Sequence, residues 1–419
     1  MAGGGRLDPE IHPWMRAPET RSVMDALNGS ADEERARFVG GCVRNALMGR
    51  PVDDVDIATV LQPADVIAAL EGAGLKAVPT GLDHGTVTGV SGRRPFEITT
   101  LRKDVETHGR RAVVAFTTDW AEDAARRDFR LNAIYASLDG ALFDPFDGAA
   151  DVAAGRVVFI GEARERIAED YLRILRFYRF NAWYAEGAPD REGHAACVEM
   201  RAGLSRLSAE RVWKELKKLL AAPAPERALK AMQEGHVLNE VFPGELDFNL
   251  LLGIIHTDQR ESLPPDPLLR AAALCGADAG RMTALSEAMK ASNAERARFQ
   301  GAAAPLRART GLDPRTRRAA LYRLGPQAFS DQIRLAAAGD DRARAALASD
   351  LDAAARYQRP VMPVRGRDLV AAGFAKGPEL GETLERLERA WIASDFTLDK
   401  AALLKRAGDD RRGGGEGER

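Results

Sequence analysis

The chain has 419 residues with a formal net charge of −2, and 45% of the residues are hydrophobic. This length is sufficient for about two to four domains with a sizeable core, and the charge excludes a strongly basic protein that binds nucleic acid through its overall charge. The three cysteines are far apart, and neither a secretory signal nor a membrane-spanning apolar run is found, so we expect a soluble cytoplasmic protein without a disulfide framework.

The first predicted element is a strand that ends at Val39 and is followed by Gly40, Gly41 and a helix. At such a turn the backbone N–H groups point into open space, where a phosphate can bind. The next predicted strand carries Asp54 and Asp56. Because residues two apart on a strand share a face, these carboxylates can hold one divalent cation between them. Either motif alone is more often a plain turn or a solvated strand edge, but together they indicate a phosphoryl or nucleotidyl transfer site.

The following segments continue the alternation of helix and strand. A helix is predicted to begin near Pro63, a strand covers about 75–78, and two strands over 84–90 and 95–101 are joined by a polar turn. This order predicts an α/β head built on a mixed sheet. Glu97 lies on the face of its strand that is turned away from the core, either as an ordinary solvent-facing residue or as a third acid beside the two aspartates.

The strand pattern fades from about Gly161, and helical spacing dominates as far as about Lys405. We therefore predict an α/β head followed by an all-α neck, body and tail. The predicted boundaries are 1–150 for the head, 151–245 for the neck, 246–411 for a helical body and tail, and 412–419 for a disordered tail.

Arginines recur in a helix predicted over 169–180, where leucine, isoleucine, phenylalanine and tyrosine surround Arg173, Arg176 and Arg179. Burying guanidinium groups without partners is costly, so an anion must meet them. Ion pairs with nearby glutamates are one possibility. The triphosphate of a nucleotide is the other, and the phosphate turn and the clustered acids favour it.

The segment from Gly40 to Gly49, followed by Asp54 and Asp56, resembles the nucleotidyltransferase signature of the tRNA CCA-adding enzyme and bacterial poly(A) polymerase family. The resemblance continues through Glu97 and about positions 126–132 to about position 218, with weaker support around 363–396. It implies a polymerase-β-like head in which Asp54 and Asp56 bind Mg²⁺ and, with Glu97, are catalytic. It also implies a set of nucleotide-binding residues, namely Gly41, Arg44, Arg127, Asp170, Arg173, Arg176 and Arg179.

Two positions depart from the pattern of this family. Asn45 replaces the aspartate that commonly follows the motif arginine, so the charge is lost while hydrogen-bonding capacity is kept. Arg130 stands where a small hydroxyl residue is usual. We expect Asn45 to have a different partner from that of the usual aspartate. We expect Arg130 to change the packing of the turn that contains it.

Asp170 and Arg173 are three residues apart, and such a pair can read a base without a nucleic-acid template. A carboxylate accepts a hydrogen bond from an exocyclic amine, whereas a guanidinium donates to ring acceptors. Cytosine and adenine carry the amine, while uracil and guanine present a carbonyl oxygen in its place. The pair should therefore select C and A, which matches the family's use of the protein as template.

The resemblance implies template-independent addition of C, C and A to the 3′ end of tRNA, with CTP and ATP as substrates, pyrophosphate release and a two-metal mechanism. A poly(A) polymerase or A-adding relative is the alternative, and an inactive RNA-binding protein is a third interpretation, against which the intact acids argue. The expected partners are tRNA, CTP and ATP, without DNA or membrane. The oligomeric state stays open.

Overall fold

The structure is a computed structural model that describes residues 5–29, 34–108, 111–304, 309–338 and 340–413. It divides into two compact units, Met1–Phe242 and Pro243–Arg419. The predicted head, and the predicted neck as far as Phe242, belong to the first unit. Residues 412 and 413 end the last helix, contrary to the predicted start of the disordered tail, and 414–419 lie outside the described residues.

Within the described part of the first unit, strands form a seven-stranded mixed sheet and a separate two-stranded hairpin. In chain order the strands are β1 (Ala36–Val39), β2 (Asp56–Thr59), β3 (Lys76–Gly81), β4 (Thr86–Ser91), β5 (Arg94–Thr100), β6 (Arg102–His108), β7 (Arg111–Phe116), β8 (Tyr135–Ala136) and β9 (Leu142–Phe143). The sheet has the spatial order β3-β4-β5-β2-β1-β8-β9. Strands β2 and β5 are parallel, whereas the other neighbours in the sheet are antiparallel.

The helices of the first unit cover the sheet and continue beyond it. They are α1 (Pro13–Arg16), α2 (Pro18–Asn28), α3 (Gly41–Leu47), α4 (Pro63–Gly72), α5 (Trp120–Ala125), α6 (Gly148–Ala153), α7 (Ala163–Glu169), α8 (Leu172–Tyr184), α9 (Arg191–Glu199), α10 (Ala209–Leu220) and α11 (Glu226–Glu234). The predicted helix near Pro63 and the predicted hairpin are confirmed as α4 and as β4 with β5. The strand predicted over 75–78 is β3, which continues to Gly81.

Side-chain alternation buries both faces of the central strands. Phe38 and Ile57 belong to the core that packs under α2 and α4, whereas their neighbours Val39 and Ala58 belong to a second core on the opposite face. Residues next to each other on a strand point to opposite faces, which accounts for this division. The strands that carry the predicted acids are therefore held from both sides.

Aromatic side chains connect the end of the α/β part to the helical part of this unit. Phe159 stacks on Phe177 of α8 with ring centroids 5.3 Å apart, and Phe129 lies 4.9 Å from Phe159. All three are buried. Such contacts add to the gain from burying large apolar rings, so they fix α8 against the segment that contains residues 126–132.

The described part of the second unit is helical. Its helices are α12 (Phe248–Arg260), α13 (Pro267–Leu274), α14 (Ala279–Ala288), α15 (Asn293–Ala302), α16 (Pro314–Leu324), α17 (Pro326–Ala338), α18 (Asp341–Arg344), α19 (Leu347–Ala355), α20 (Gly366–Ala371), α21 (Pro378–Ala393) and α22 (Lys400–Gly413). Buried Asp258 of α12 forms ion pairs with Arg270 and Arg334, which ties α12 to α13 and α17. Across the described residues, we find no helix with the length and apolar character needed to cross a bilayer.

Candidate active site

The predicted phosphate turn lies between β1 and α3. Gly40 has a φ of 69°, a conformation that costs little only for glycine, and this bend sends the chain from the strand into the helix. The N–H of Gly40 donates to the carbonyl of Ile134 at 3.2 Å, so this group is used by the fold. Gly41, the first residue of α3, lines a cavity beside the turn. Because the N–H of Gly40 is already used, the first N–H group at the start of α3 is that of Gly41.

The three predicted acids lie around the start of strand β2. Asp56 is the first residue of β2 and is the register partner of Glu97 in β5. The expected pairing of Glu97 with the aspartate strand is therefore confirmed. Burial first, and then the charges of Glu97 and Asp54, raise the pKa of Asp56 to about 6, although Arg127 and Arg44 act in the opposite direction.

The prediction that Asp54 lies on the same strand face as Asp56 is wrong in one respect. Strand β2 begins only at Asp56, and Asp54 is an exposed residue of the preceding loop. Its charge still acts on Asp56, so the two carboxylates are near each other without strand geometry. In the part of the chain that the structure describes, no group of three or more acidic, histidine or cysteine side chains is arranged to hold a metal ion.

A cavity of about 390 Å³ brings most of the predicted residues together. The predicted site residues that line it are Gly41, Arg44, Asp56, Arg127, Asp170, Arg173 and Arg176. Asp54, Glu97 and Arg179 are outside its lining. Both the sheet end and α8 contribute side chains, so the cavity forms where the α/β part and the helical part of the first unit meet.

Carboxylates of the chain itself pair with the arginines of α8. Arg176 binds Asp128 at 2.5 Å, Arg179 binds Glu215 at 2.6 Å, and Arg173 forms an ion pair with Glu169. The sequence left internal ion pairs and a triphosphate as the two candidates for these arginines. The structure shows the ion pairs.

Arg127 is held in the same way at the other side of the cavity. Its Nη2 lies 3.0 Å from a carboxylate oxygen of Asp123, which also accepts a hydrogen bond from the Tyr135 hydroxyl at 2.7 Å. Burial alone would raise the pKa of Asp123, but Arg127 and Arg126 lower it to about 2. The aspartate therefore stays ionised and fixes the direction of the guanidinium.

Asp170 and Arg173, the pair predicted to recognise the base, do not lie in one helix as expected. Asp170 follows α7 with a φ of −153° and precedes α8, which begins at Leu172, so the two residues do not share a helix surface. One oxygen of Asp170 accepts from the N–H of Leu172 at 3.1 Å, and the other accepts from Arg211 at 2.6 Å. Arg173 donates to the carbonyl of Arg166 at 2.9 Å. Both side chains nevertheless line the same cavity.

Several side chains of the site were not predicted. Asn132 accepts a hydrogen bond from Arg44 at 2.5 Å and donates to Asp128 at 3.1 Å, which in turn binds Arg176. Phe180 also lines the cavity. Asp128 and Asn132 stand in the segment that contains Arg127, so the signal was present, but nothing in the spacing identified their partners.

The two departures from the family pattern are accommodated locally. Arg130 begins a short 3₁₀ turn, Arg130–Asn132, and its N–H donates to the carbonyl of Val158 at 3.0 Å. Asn45 accepts from Arg44 at 3.0 Å and donates to the carbonyl of Pro51 at 3.1 Å. Both turns are therefore closed by hydrogen bonds in this chain.

Comparison with known families and proteins gives a consistent result. Residues 36–158 match the family described as the Poly A polymerase head domain, and residues 189–247 match the probable RNA and SrmB-binding site of polymerase A. The chain is 31% identical over 392 residues to the mitochondrial CCA tRNA nucleotidyltransferase 1 of Mus musculus, which covers 89% of this chain and 86% of that protein.

Solved structures give the same picture. The CCA-adding enzyme of Bacillus stearothermophilus in complex with CTP superposes with a TM-score of 0.74 at 25% identity, covering 95% of this chain and 98% of that one. The Thermotoga maritima CCA-adding enzyme complexed with tRNA has the same fold, with a TM-score of 0.67 at 18% identity and coverage of 98% and 100%.

Proposed function

The chain belongs to the class II CCA-adding enzymes, the tRNA nucleotidyltransferases that its sequence pattern resembles. From this premise we propose a function for the cavity. The chain adds C, C and A to the 3′ end of tRNA, with CTP and ATP as nucleotide substrates and pyrophosphate as the second product. The observation that carries this proposal is the cavity itself. One space holds Asp56, Arg127 and Arg176 together with the glycine turn.

The positive side of the cavity is suited to the triphosphate. Arg44, Arg127 and Arg176 converge there, and the first N–H groups of α3 begin at Gly41. Guanidinium groups recognise phosphate oxygens through directed hydrogen bonds. The carboxylates that now bind Arg127 and Arg176 hold these two side chains in place before the nucleotide arrives, so binding need not order them. Arg179 lies one turn further along α8 and contributes positive charge without lining the cavity.

The acidic side of the cavity fits a divalent cation. Asp54, Asp56 and Glu97 are hard oxygen donors. Burial and then the charges of Glu97 and Asp54 raise the pKa of Asp56, and a cation would relieve this repulsion. We propose Asp54 and Asp56 as Mg²⁺ ligands and Glu97 as the third catalytic acid. When bound, Mg²⁺ supplies charge neutralisation for the attacking oxygen and the leaving pyrophosphate.

The chain's own residues would then align the reactants. Asp56 stands at the border between the acids and the arginines, where the α-phosphate must meet the 3′-hydroxyl. The 3′-hydroxyl loses its proton to solvent as the bond from its oxygen to the α-phosphorus forms, and the bond to the pyrophosphate oxygen breaks with its electron pair leaving on the pyrophosphate. Arg127 and Arg176 keep positive charge beside the phosphates as charge shifts to the leaving group.

Base choice is assigned to Asp170 and Arg173. Asp170 is held by Arg211, so its carboxylate is fixed in position, and each of its oxygens has a second lone pair for an exocyclic amine. Arg173 donates to ring acceptors once a base replaces part of its contacts with Glu169 and main-chain carbonyls. This arrangement favours cytosine and adenine over uracil and guanine.

The helical segment 246–411 is proposed to bind tRNA. The cytoplasmic location stays a prediction.

The experiment that tests the function uses purified protein and a tRNA that lacks its last three nucleotides. With Mg²⁺ and labelled CTP and ATP, we expect C, C and A to be added in that order and extension to stop. UTP and GTP should not be incorporated. An Asp56→Asn variant is the control for contaminating activity. Long tails of A from ATP alone would identify a poly(A) polymerase instead, and tRNA binding without any extension would identify an inactive RNA-binding protein.

A further inference from the structure

Arg44 differs from the other cavity arginines in the chemical nature of its partners. The others each pair with a carboxylate: Arg127, Arg173 and Arg176. Among the described residues, Arg44 instead donates to uncharged oxygens, those of the Asn132 amide at 2.5 Å, the Asn45 amide at 3.0 Å and the Tyr184 hydroxyl at 2.9 Å. Arg44 is only 6% exposed. Its charge is therefore buried, oriented and left without a bonded anion.

Tyr184 contacts this guanidinium in two ways. The Arg44 guanidinium carbon lies 4.0 Å from the centroid of the Tyr184 ring, while Arg44 Nη2 donates to the hydroxyl. Such a face contact is attractive because of the quadrupole of the ring. Tyr184 is the last residue of α8, and it is outside the lining of the cavity. Tyr184 is thus linked to the cavity through two lining residues, Arg44 and Phe180, and its hydroxyl contacts Arg44.

A second arginine keeps the end of α8 against the segment that follows α3. The Arg50 guanidinium lies over the Tyr184 ring at 5.2 Å, and Arg50 Nη1 donates to the carbonyl of Trp183 at 2.7 Å. The Tyr184 ring is therefore held by contacts with a residue that does not line the cavity. A ring that is held in this way provides a rigid support for Arg44.

We propose that Tyr184 is a positioning residue that orients Arg44 toward the triphosphate with neutral contacts, in place of the carboxylate that Asn45 lacks. Neutral partners fix the direction of a guanidinium without compensating its charge, so the full charge stays available to the incoming anion. Asn45 and Tyr184 both accept from the same atom, Nη2. This inference rests on the proposed function, because it takes the anion of the cavity to be the triphosphate.

The test compares KM for CTP and kcat in variants of the full chain, with tRNA saturating. Tyr184→Phe keeps the ring and removes the hydroxyl, and we expect KM to rise about tenfold with kcat within about twofold, as for loss of one hydrogen bond to a charged group. Tyr184→Leu also removes the ring and should raise KM further. Introducing Asn45→Asp into the Tyr184→Phe protein should leave most of the increase in KM in place, since a carboxylate at position 45 compensates the charge that neutral partners leave available.

Controls separate this inference from the proposed function. Tyr178→Phe removes a hydroxyl from the same helix, where the partner is His194 at 2.9 Å, and it should leave KM unchanged. Arg44→Ala should raise KM by about a hundredfold or more. If Arg44→Ala has a normal KM, the triphosphate placement fails. If Arg44→Ala is impaired but Tyr184→Phe is normal, or if Tyr178→Phe raises KM as much, the positioning role alone is overturned.

Discussion

At the scale of single residues, Asp53 and Asp54 offer a matched pair for the metal proposal. Both are exposed acids of the loop before β2, and Asp54 is among the groups that raise the pKa of Asp56. We expect Asp54→Ala to lower kcat about a thousandfold, because a lost metal ligand removes several kcal/mol of charge stabilisation in the transition state. Binding of tRNA, measured by filter retention, should be unchanged.

The neighbouring Asp53→Ala removes the same charge from the same loop and should retain activity within about twofold, as is usual for surface substitutions. A fully active Asp54→Ala protein, or an equal loss in both variants, would remove this residue from the metal site. Titration of activity with Mg²⁺ adds a second measurement. Any residual activity of Asp54→Ala should need more Mg²⁺ than the parent protein does.

The site also shows which features can be predicted from the residues and which cannot. The glycine bend and the strand face of Glu97 follow from short-range patterns, since alternation decides the face of a strand, whereas the position of Glu97 beside Asp56 was expected from the family resemblance. The partners of Asp170 and Arg179 are Arg211 and Glu215, which are about forty residues away in sequence. Such ion pairs depend on how helices pack, and the spacing of residues within one helix carries no information about them.

At the scale of secondary-structure elements, the junction between α7 and α8 carries Asp170 and Arg173, to which we assign the choice of base. We expect Arg173→Ala to lower the preference for CTP over UTP by about tenfold, because discrimination by paired hydrogen bonds is worth about 1–3 kcal/mol. The measurement is the ratio of kcat/KM for the two nucleotides on the same tRNA. The KM for CTP should rise less than this ratio falls, since Arg44, Arg127 and Arg176 still hold the triphosphate.

The matched control at this junction is Arg166→Ala. Arg166 of α7 also pairs with Glu169, at 2.5 Å, but it is outside the cavity lining. Loss of a positive charge beside Glu169 is common to both variants, so it cannot account for a difference between them. An unchanged preference in Arg173→Ala, or an equal change in Arg166→Ala, would contradict reading of the base by the protein.

At the scale of the whole molecule, the division of the chain separates the proposed nucleotide site from the proposed tRNA-binding body. Every residue that lines the cavity belongs to the first unit, whereas the helices from α12 onward form the second. The first unit has cores of its own around both faces of the sheet. A fragment that ends at Phe242 should therefore contain all the groups that contact the nucleotide.

We expect this 1–242 fragment to bind CTP with an affinity within about threefold of the full chain, because no cavity residue is removed. Addition to tRNA should fall by at least about a hundredfold in kcat/KM for tRNA, since phosphate contacts supply much of the affinity for nucleic acid. Circular dichroism shows whether the fragment is folded, and calorimetry measures its affinity for CTP. Full tRNA activity of the folded fragment would show that α12 to α22 are not needed to hold tRNA. Loss of CTP binding in a folded fragment would mean that the second unit completes the nucleotide site.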